Sequence, residues 1–152
     1  MKIAVGADHA GFGLKQEVVE FLKEKGYDYH DFGTMNAQRV DYPDLAEAVS
    51  EAVVRGEYDI GILVCGSGVG MSIAANKVPG IRAALCFNSF MARMTRDHND
   101  SNVLVLGEWL VGAKLALDIV ETFLSTPFGN EERHAKRMRL IADLERKYQK
   151  GP

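Results

Sequence analysis

The sequence predicts an α/β fold: one Rossmann-like, three-layer αβα domain with a five-stranded, mostly parallel sheet and a C-terminal helix. Three observations predict it. Short β-rich runs alternate along the chain with longer stretches at helical spacing. Two of those runs, Asp59 to Cys65 and Ile81 to Cys86, are almost continuously apolar, the pattern of strands covered on both faces. The length of 152 residues suits one core of this kind and would leave two cores small.

The elements follow in order. Lys2 to Ala7 reads as a strand. Phe12 to Lys25 carries Leu14, Val18, Val19, Phe21 and Leu22 at helical spacing, with Gly26 as the stop. Tyr27 to Phe32 alternates as a second strand. Pro43 to Arg55 is a helix with proline in its first turn and Leu45, Ala46, Val49, Ala52 and Val53 on one face. After the strand Asp59 to Cys65, Gly66 to Gly70 interrupts regular structure and Met71 to Lys77 resumes as a short helix. Ile81 to Cys86 is the fourth strand, Ser89 to Arg96 a helix, and Val103 to Leu106 the fifth strand. Leu110 to Leu124 is a helix closed by Thr126-Pro127. Glu131 to Lys150 is a charged helix whose Met138, Ile141, Leu144 and Tyr148 form an apolar stripe, suited to packing on its own domain or on a partner subunit.

Composition narrows the function. Hydrophobic residues make up 47% and charged residues 26%, with a net charge of -3. These are values of a soluble globular protein, and the acidic balance argues against a nucleic-acid or anionic-membrane partner. The N-terminus enters a strand directly, so no signal peptide is expected, and no apolar run reaches the roughly 20 residues of a membrane span. The two cysteines, Cys65 and Cys86, form no disulfide framework or metal pattern. The expectation is a cytoplasmic protein with free thiols, no bound metal and no cofactor.

The most informative stretch is Val64-Cys65-Gly66-Ser67-Gly68-Val69-Gly70-Met71-Ser72. Three glycines in five residues let backbone N–H groups converge where a helix begins, an arrangement that holds an anion such as a phosphate or an enediolate oxygen. It is neither a Walker A loop nor GxGxxG, and tight strand–helix packing explains a lone glycine turn equally well. Cys65 stands at the strand end beside this loop, where the helix terminus would favour thiolate. A packing role is the alternative, and it is the expectation for Cys86.

Ligands of parallel sheets bind beyond the carboxyl ends of the strands. That rule draws attention to Asp8-His9 after the first strand, to Cys65 through Gly70, and to His98-Asn99 before the last strand. Asp8 is a ligand contact or the cap of the next helix. His98 is a candidate acid/base or a surface histidine in a polar turn. Arg133 and Arg137, four apart on one helix face, suit a phosphate or form a solvated basic face.

Taken together, these segments resemble a known family. They include Gly6-Ala7-Asp8-His9-Ala10-Gly11, Asp31-Phe32-Gly33-Thr34, Asp41-Tyr42-Pro43, Cys65 through Gly70, Ser72 through Lys77, Gly80-Ile81-Arg82-Ala83, His98 through Val103, Arg133-His134 and Arg137. The chain resembles the type B ribose-5-phosphate isomerases, which belong with the galactose-6-phosphate isomerase subunits of the lactose pathway. The resemblance implies a metal-independent aldose-ketose isomerase interconverting ribose 5-phosphate and ribulose 5-phosphate through an enediolate. It implies Cys65 as the base moving a proton between C2 and C1, Ser67 as its assistant, and His98 as the group that opens the sugar ring. By the same resemblance Asp8, His9, Asn99 and the loop Gly66, Gly68, Val69 and Gly70 contact substrate, and Arg133 and Arg137 bind its phosphate. The family forms dimers or tetramers with sites at the subunit interface.

Two segments depart from the family pattern. Trp109 stands where many members carry an arginine that reaches the phosphate, and Gly129-Asn130-Glu131-Glu132 replaces a Gly-Gly pair before Arg133. The loss of a cation makes a six-carbon substrate such as allose 6-phosphate the nearest alternative. A non-catalytic phosphate- or nucleotide-binding module is a more distant one.

Overall fold

The computed structural model describes residues 1–149. Five strands, β1 (Lys2–Ala7), β2 (Asp28–Asp31), β3 (Ile60–Cys65), β4 (Ala83–Leu85) and β5 (Val103–Gly107), form one sheet in the order β2-β1-β3-β5-β4. Every adjacent pair is parallel. The helices are α1 (Phe12–Glu24), α2 (Tyr42–Val54), α3 (Val69–Ala75), α4 (Ser89–Asn99), α5 (Ala113–Ser125) and α6 (Glu132–Gln149). The expected end of the last helix at Lys150 lies outside the described residues.

Strand side chains alternate between two buried layers, as the period of two requires. Ile3, Val5, Ile62, Val64, Leu104 and Leu106 face α1, α4 and α5, where Leu22, Ala92, Ile119 and Phe123 complete that core. Ala4, Leu63, Val103 and Val105 face α2 and α3, against Val49, Val53, Met71 and Ala75. The predicted three-layer αβα architecture is therefore the observed one, and the sheet is wholly parallel.

β4 differs from expectation. The segment Ile81 to Cys86 was expected to be a buried strand, but only Ala83–Leu85 pair, and all three are half-buried. The cause is position: β4 is the edge strand, bonded only to β5. Ile81 and Cys86 are still buried, from segments that flank the ladder. α5 also starts later than expected, at Ala113, because Leu110 and Val111 both turn back to donate to the Gly107 carbonyl.

The order places a topological switch between β1 and β3: the chain leaves β1 toward β2 and returns on its other side. Crevices in open parallel sheets open at such a point, beyond the strands' carboxyl ends. Ala7 pairs with Val64 in register, so Asp8 and Cys65 emerge side by side. The neighbouring loop is tied down by Lys15, which is fully buried and donates to Asp31 Oδ2 at 2.5 Å and to the Thr34 carbonyl at 2.7 Å. Ala7 and Thr34 complete the anchor by donating to the carbonyls of Gly33 and Ala7, each at 2.7 Å.

Candidate active site

Cys65 ends β3 with its side chain buried. The glycine loop folds back over the sulfur. Gly68 N–H donates to Cys65 Sγ at 3.1 Å, and the N–H groups of Met71 and Ser67 also act on it. Gly68 reaches this position with φ of 78°, a left-handed conformation that glycine adopts without steric cost. The converging N–H groups expected to hold a substrate anion are thus aimed in part at the thiol itself.

The thiol does not titrate as the sequence suggests. Burial pushes it above its ordinary range, the N–H groups of Met71 and Gly68 pull it back, and the Asp8 carboxylate adds to the rise. Burial wins, so the expectation of a lowered thiol is corrected: the thiolate is supported by hydrogen bonds yet disfavoured overall. Cys86 has burial alone, and its thiol is pushed up to about 12, in keeping with a packing role.

Other predicted residues surround Cys65. Asp8 is buried, and its Oδ1 accepts from Ala10 N–H at 2.9 Å and Gly11 N–H at 3.0 Å, so it does cap the turn His9–Gly11. It also lies close enough to the sulfur to shift its titration, so the cap and the site coincide. His9 Nδ1 accepts from Val40 N–H at 3.4 Å. Ser67 Oγ accepts from Val69 N–H at 3.3 Å, closing the loop on itself.

Two aromatic side chains flank the loop. A Cβ on Gly70 would stand 2.7 Å from the Tyr42 ring, and one on Gly66 would stand 2.6 Å from the Trp109 ring. Both glycines are bare because these rings lie on them. Tyr42 was visible in the sequence as part of a motif and not as a site residue. Nothing in its spacing reveals that α2 delivers its ring to Gly70.

The remaining predicted residues form a second cluster, away from Cys65. His98 and Asn99 were expected at the carboxyl ends of the strands. Instead they end α4, which runs back along the sheet to the amino end of β5. Cys65 pairs with Gly107 at the other end of that strand. Four residue steps along β5, about 13 Å, separate Gly107 from Val103, the end toward which α4 runs. The cause is topological: the segment that leads into β5 stands at that strand's amino end, and α4 continues past Arg96 through Asn99 up to the turn at Asp100, with φ of 45°.

At that end the ring of His98 stacks on His134, centroids 4.2 Å apart and planes 11° from parallel. His134 is buried, and neither ring nitrogen has a hydrogen-bond partner among the described residues. Burial holds its protonation down, reinforced by His98 and the Arg133 guanidinium and further by Arg137, with Glu131 opposing. Arg133 is exposed and donates to Glu131 Oε2 at 2.8 Å. Gly129 seats α6 on α4: it donates to the Asp97 carbonyl at 3.1 Å, and a Cβ there would meet Asp97 Oδ1 at 2.2 Å. The unusual segment before Arg133 therefore still aligns α6 with His98. The stripe of α6 is left uncovered, with Ile141, Leu144 and Tyr148 all exposed.

One chain thus carries a thiol end and a histidine–arginine end, each built, on opposite ends of the same sheet. Residues 3–141 match the family model described as ribose/galactose isomerase. The chain belongs to that family. It is 47% identical over 146 residues to ribose-5-phosphate isomerase B of Escherichia coli, covering 96% of this chain and 97% of that one. Among solved structures, it superposes on ribose-5-phosphate isomerase B of Clostridium thermocellum with a TM-score of 0.95 at 57% identity, over 97% of this chain and 99% of the other. The corresponding isomerase of Thermotoga maritima gives a TM-score of 0.91 at 52% identity, over 93% and 97%. Membership makes the chain an isomerase of the sugar-phosphate class. No helix among the described residues is long and apolar enough to cross a membrane.

Proposed function

We propose that this protein interconverts ribose 5-phosphate and ribulose 5-phosphate, without metal or cofactor, in an assembly of two or four copies of its single domain. The observation that carries the reading is the Cys65 thiol at the β1–β3 crevice, cradled by the N–H groups of its own loop. Such a group suits proton transfer at a carbon next to a carbonyl. The thiolate takes the proton from C2 of the open-chain aldose and the electrons move to the C1 oxygen; the proton of the C2 hydroxyl then passes to the C1 oxygen, and the thiol returns the first proton to C1 as the C2 carbonyl forms. Ser67 assists at the oxygens, and Asp8, His9 and the backbone of Gly66, Gly68, Val69 and Gly70 hold the sugar.

The His98 cluster supplies ring opening and phosphate binding, with Asn99 as a further substrate contact and Arg133 and Arg137 as the phosphate handle. Because a single copy places the two clusters at opposite ends of β5, we assign the second end to the neighbouring copy. Cys65 of one subunit then works with His98 of the partner subunit. Such an assembly acts on a small sugar phosphate in the cytoplasm and needs no nucleic acid or membrane.

The test is a coupled isomerase assay on ribose 5-phosphate and on allose 6-phosphate, with wild type and Cys65→Ala. Turnover of the pentose phosphate, lost by orders of magnitude in a folded Cys65→Ala, is the expected result. A strong preference for the hexose phosphate would replace the substrate. Near-wild-type turnover by Cys65→Ala would remove the thiol from the base role.

A further inference from the structure

Trp109 is the only tryptophan in the chain, and it is 74% exposed. Exposed indoles are usually mobile, but this one is held at both levels of structure. Its backbone N–H donates to the Gly66 carbonyl at 2.9 Å, and the preceding Glu108 N–H donates to the Cys65 carbonyl at 2.9 Å. Three consecutive atoms of its six-membered ring, Cε2, Cζ2 and Cη2, lie 2.6 to 2.7 Å from where a Gly66 Cβ would stand. Nearly equal distances to three ring atoms mean that the Gly66 Cα meets the ring face-on. The backbone therefore fixes the ring beside the residue that follows Cys65, and most of its surface is left bare.

The chemistry of that position is uncharged. An indole offers an apolar face and one N–H donor, and it cannot pair with a phosphate as a guanidinium does. The cations assigned to the phosphate, Arg133 and Arg137, belong to the other end of the fold. What meets the Cys65 end is the reacting carbon and its neighbours. A sugar presents C–H groups on such carbons, and a flat aromatic face is complementary to them.

We propose that Trp109 is a specificity-determining residue whose indole packs on the carbon chain of the open-chain sugar phosphate bound at Cys65. This rests on the isomerase reading above. The ring holds the chain laterally while the thiol works at C1 and C2, so its contribution is to binding and is the same before and during proton transfer. An apolar face also grips each further C–H it covers, so it favours the longer of two sugar phosphates.

Because Trp109 stands alone, its fluorescence reports on this contact directly. Wild-type protein titrated with ribose 5-phosphate is expected to show a saturating change in tryptophan emission with a midpoint near KM, and inorganic phosphate little or none. Trp109→Ala is expected to raise KM about two- to tenfold, the range of one aromatic contact, with kcat retained and Trp109→Phe recovering most of the loss. In Trp109→Ala, kcat/KM for the six-carbon phosphate should fall more than for the five-carbon one. Turnover with silent emission and an unchanged KM would overturn this inference and leave the isomerase reading standing. A lowered kcat at constant KM, or an equal response to inorganic phosphate, would also overturn it. Absence of turnover on any sugar phosphate would overturn the isomerase reading and this inference with it.

Discussion

Replacing Gly68 by alanine strikes the loop where two costs can be separated. The first is conformational. Gly68 has φ of 78°, and an L-residue held in that left-handed region loses about 1–2 kcal/mol. The second is steric. The new Cβ would stand 2.4 Å from Leu85 Cδ1 and 3.2 Å from the Leu106 carbonyl, so a side chain at the edge strand must move. Overpacking of this kind costs about 1–3 kcal/mol. Gly26 isolates the first cost: it has φ of 75°, and a Cβ there meets nothing within 4 Å. Gly26→Ala should therefore lose only about 1–2 kcal/mol, and Gly68→Ala about 2–5 kcal/mol. At this chain length each kcal/mol lowers Tm by about 2–4 °C. Thermal unfolding at one fixed protein concentration, with urea titration as a check, reads both variants against wild type. Alanine keeps the N–H that stands 3.1 Å from Cys65 Sγ, but the strain at this φ turns the backbone and swings that donor off the sulfur, so Gly68→Ala should also lose activity, whereas Gly26→Ala should not. Equal destabilisation by the two variants would refute the steric reasoning, and full activity in Gly68→Ala would refute the displacement of its N–H from the sulfur.

Three further outcomes follow from the geometry. The base form of Cys65 is the deprotonated one, and burial raises its titration, so kcat/KM should climb with pH through neutrality and level off above the ordinary thiol range. Asp8→Asn keeps an oxygen for the cap but removes a charge that raises the thiol, so the acid limb of that profile should move to lower pH; a shift upward would contradict the assignment. For the buried pair at the edge of the crevice, Lys15→Met should cost about 2–4 kcal/mol in urea unfolding, because the Asp31 carboxylate it strands is partly exposed. Asp31→Ala should cost more, since the stranded ammonium is fully buried; the reverse order would mean that Asp31 is not what holds Lys15.

Central elements were legible because their residues are constrained on both sides. β1 was expected over Lys2 to Ala7 and is found there, and β3 differs by one residue. The edge strand was overestimated because Ile81 and Cys86 are as apolar as strand residues yet are buried from outside the ladder. Cys65 and its loop were readable because the carboxyl end of a central parallel strand is a fixed place in this architecture. The direction of the thiol shift was not, since the converging N–H groups are implied by glycines while burial is set by tertiary packing. His98 was misplaced for a topological reason: it lies shortly before β5 in sequence, and the segment that leads into a parallel strand stands at its amino end, away from the carboxyl ends where Cys65 emerges. Its stack on His134 joins two helices distant in sequence, and no spacing pattern announces it.

That displacement of His98 from Cys65 is the ground for the proposed shared site. Mixing Cys65→Ala with His98→Ala tests it most directly. Each variant alone is inactive on ribose 5-phosphate if both residues are needed at one site. After subunit exchange, about half of the two-fold dimers are hybrids, and each hybrid holds one doubly damaged site and one intact site. The mixture should therefore recover about a quarter of wild-type activity under this two-fold pairing. Activity that stays at the sum of the two parents after exchange would contradict a site built from two copies.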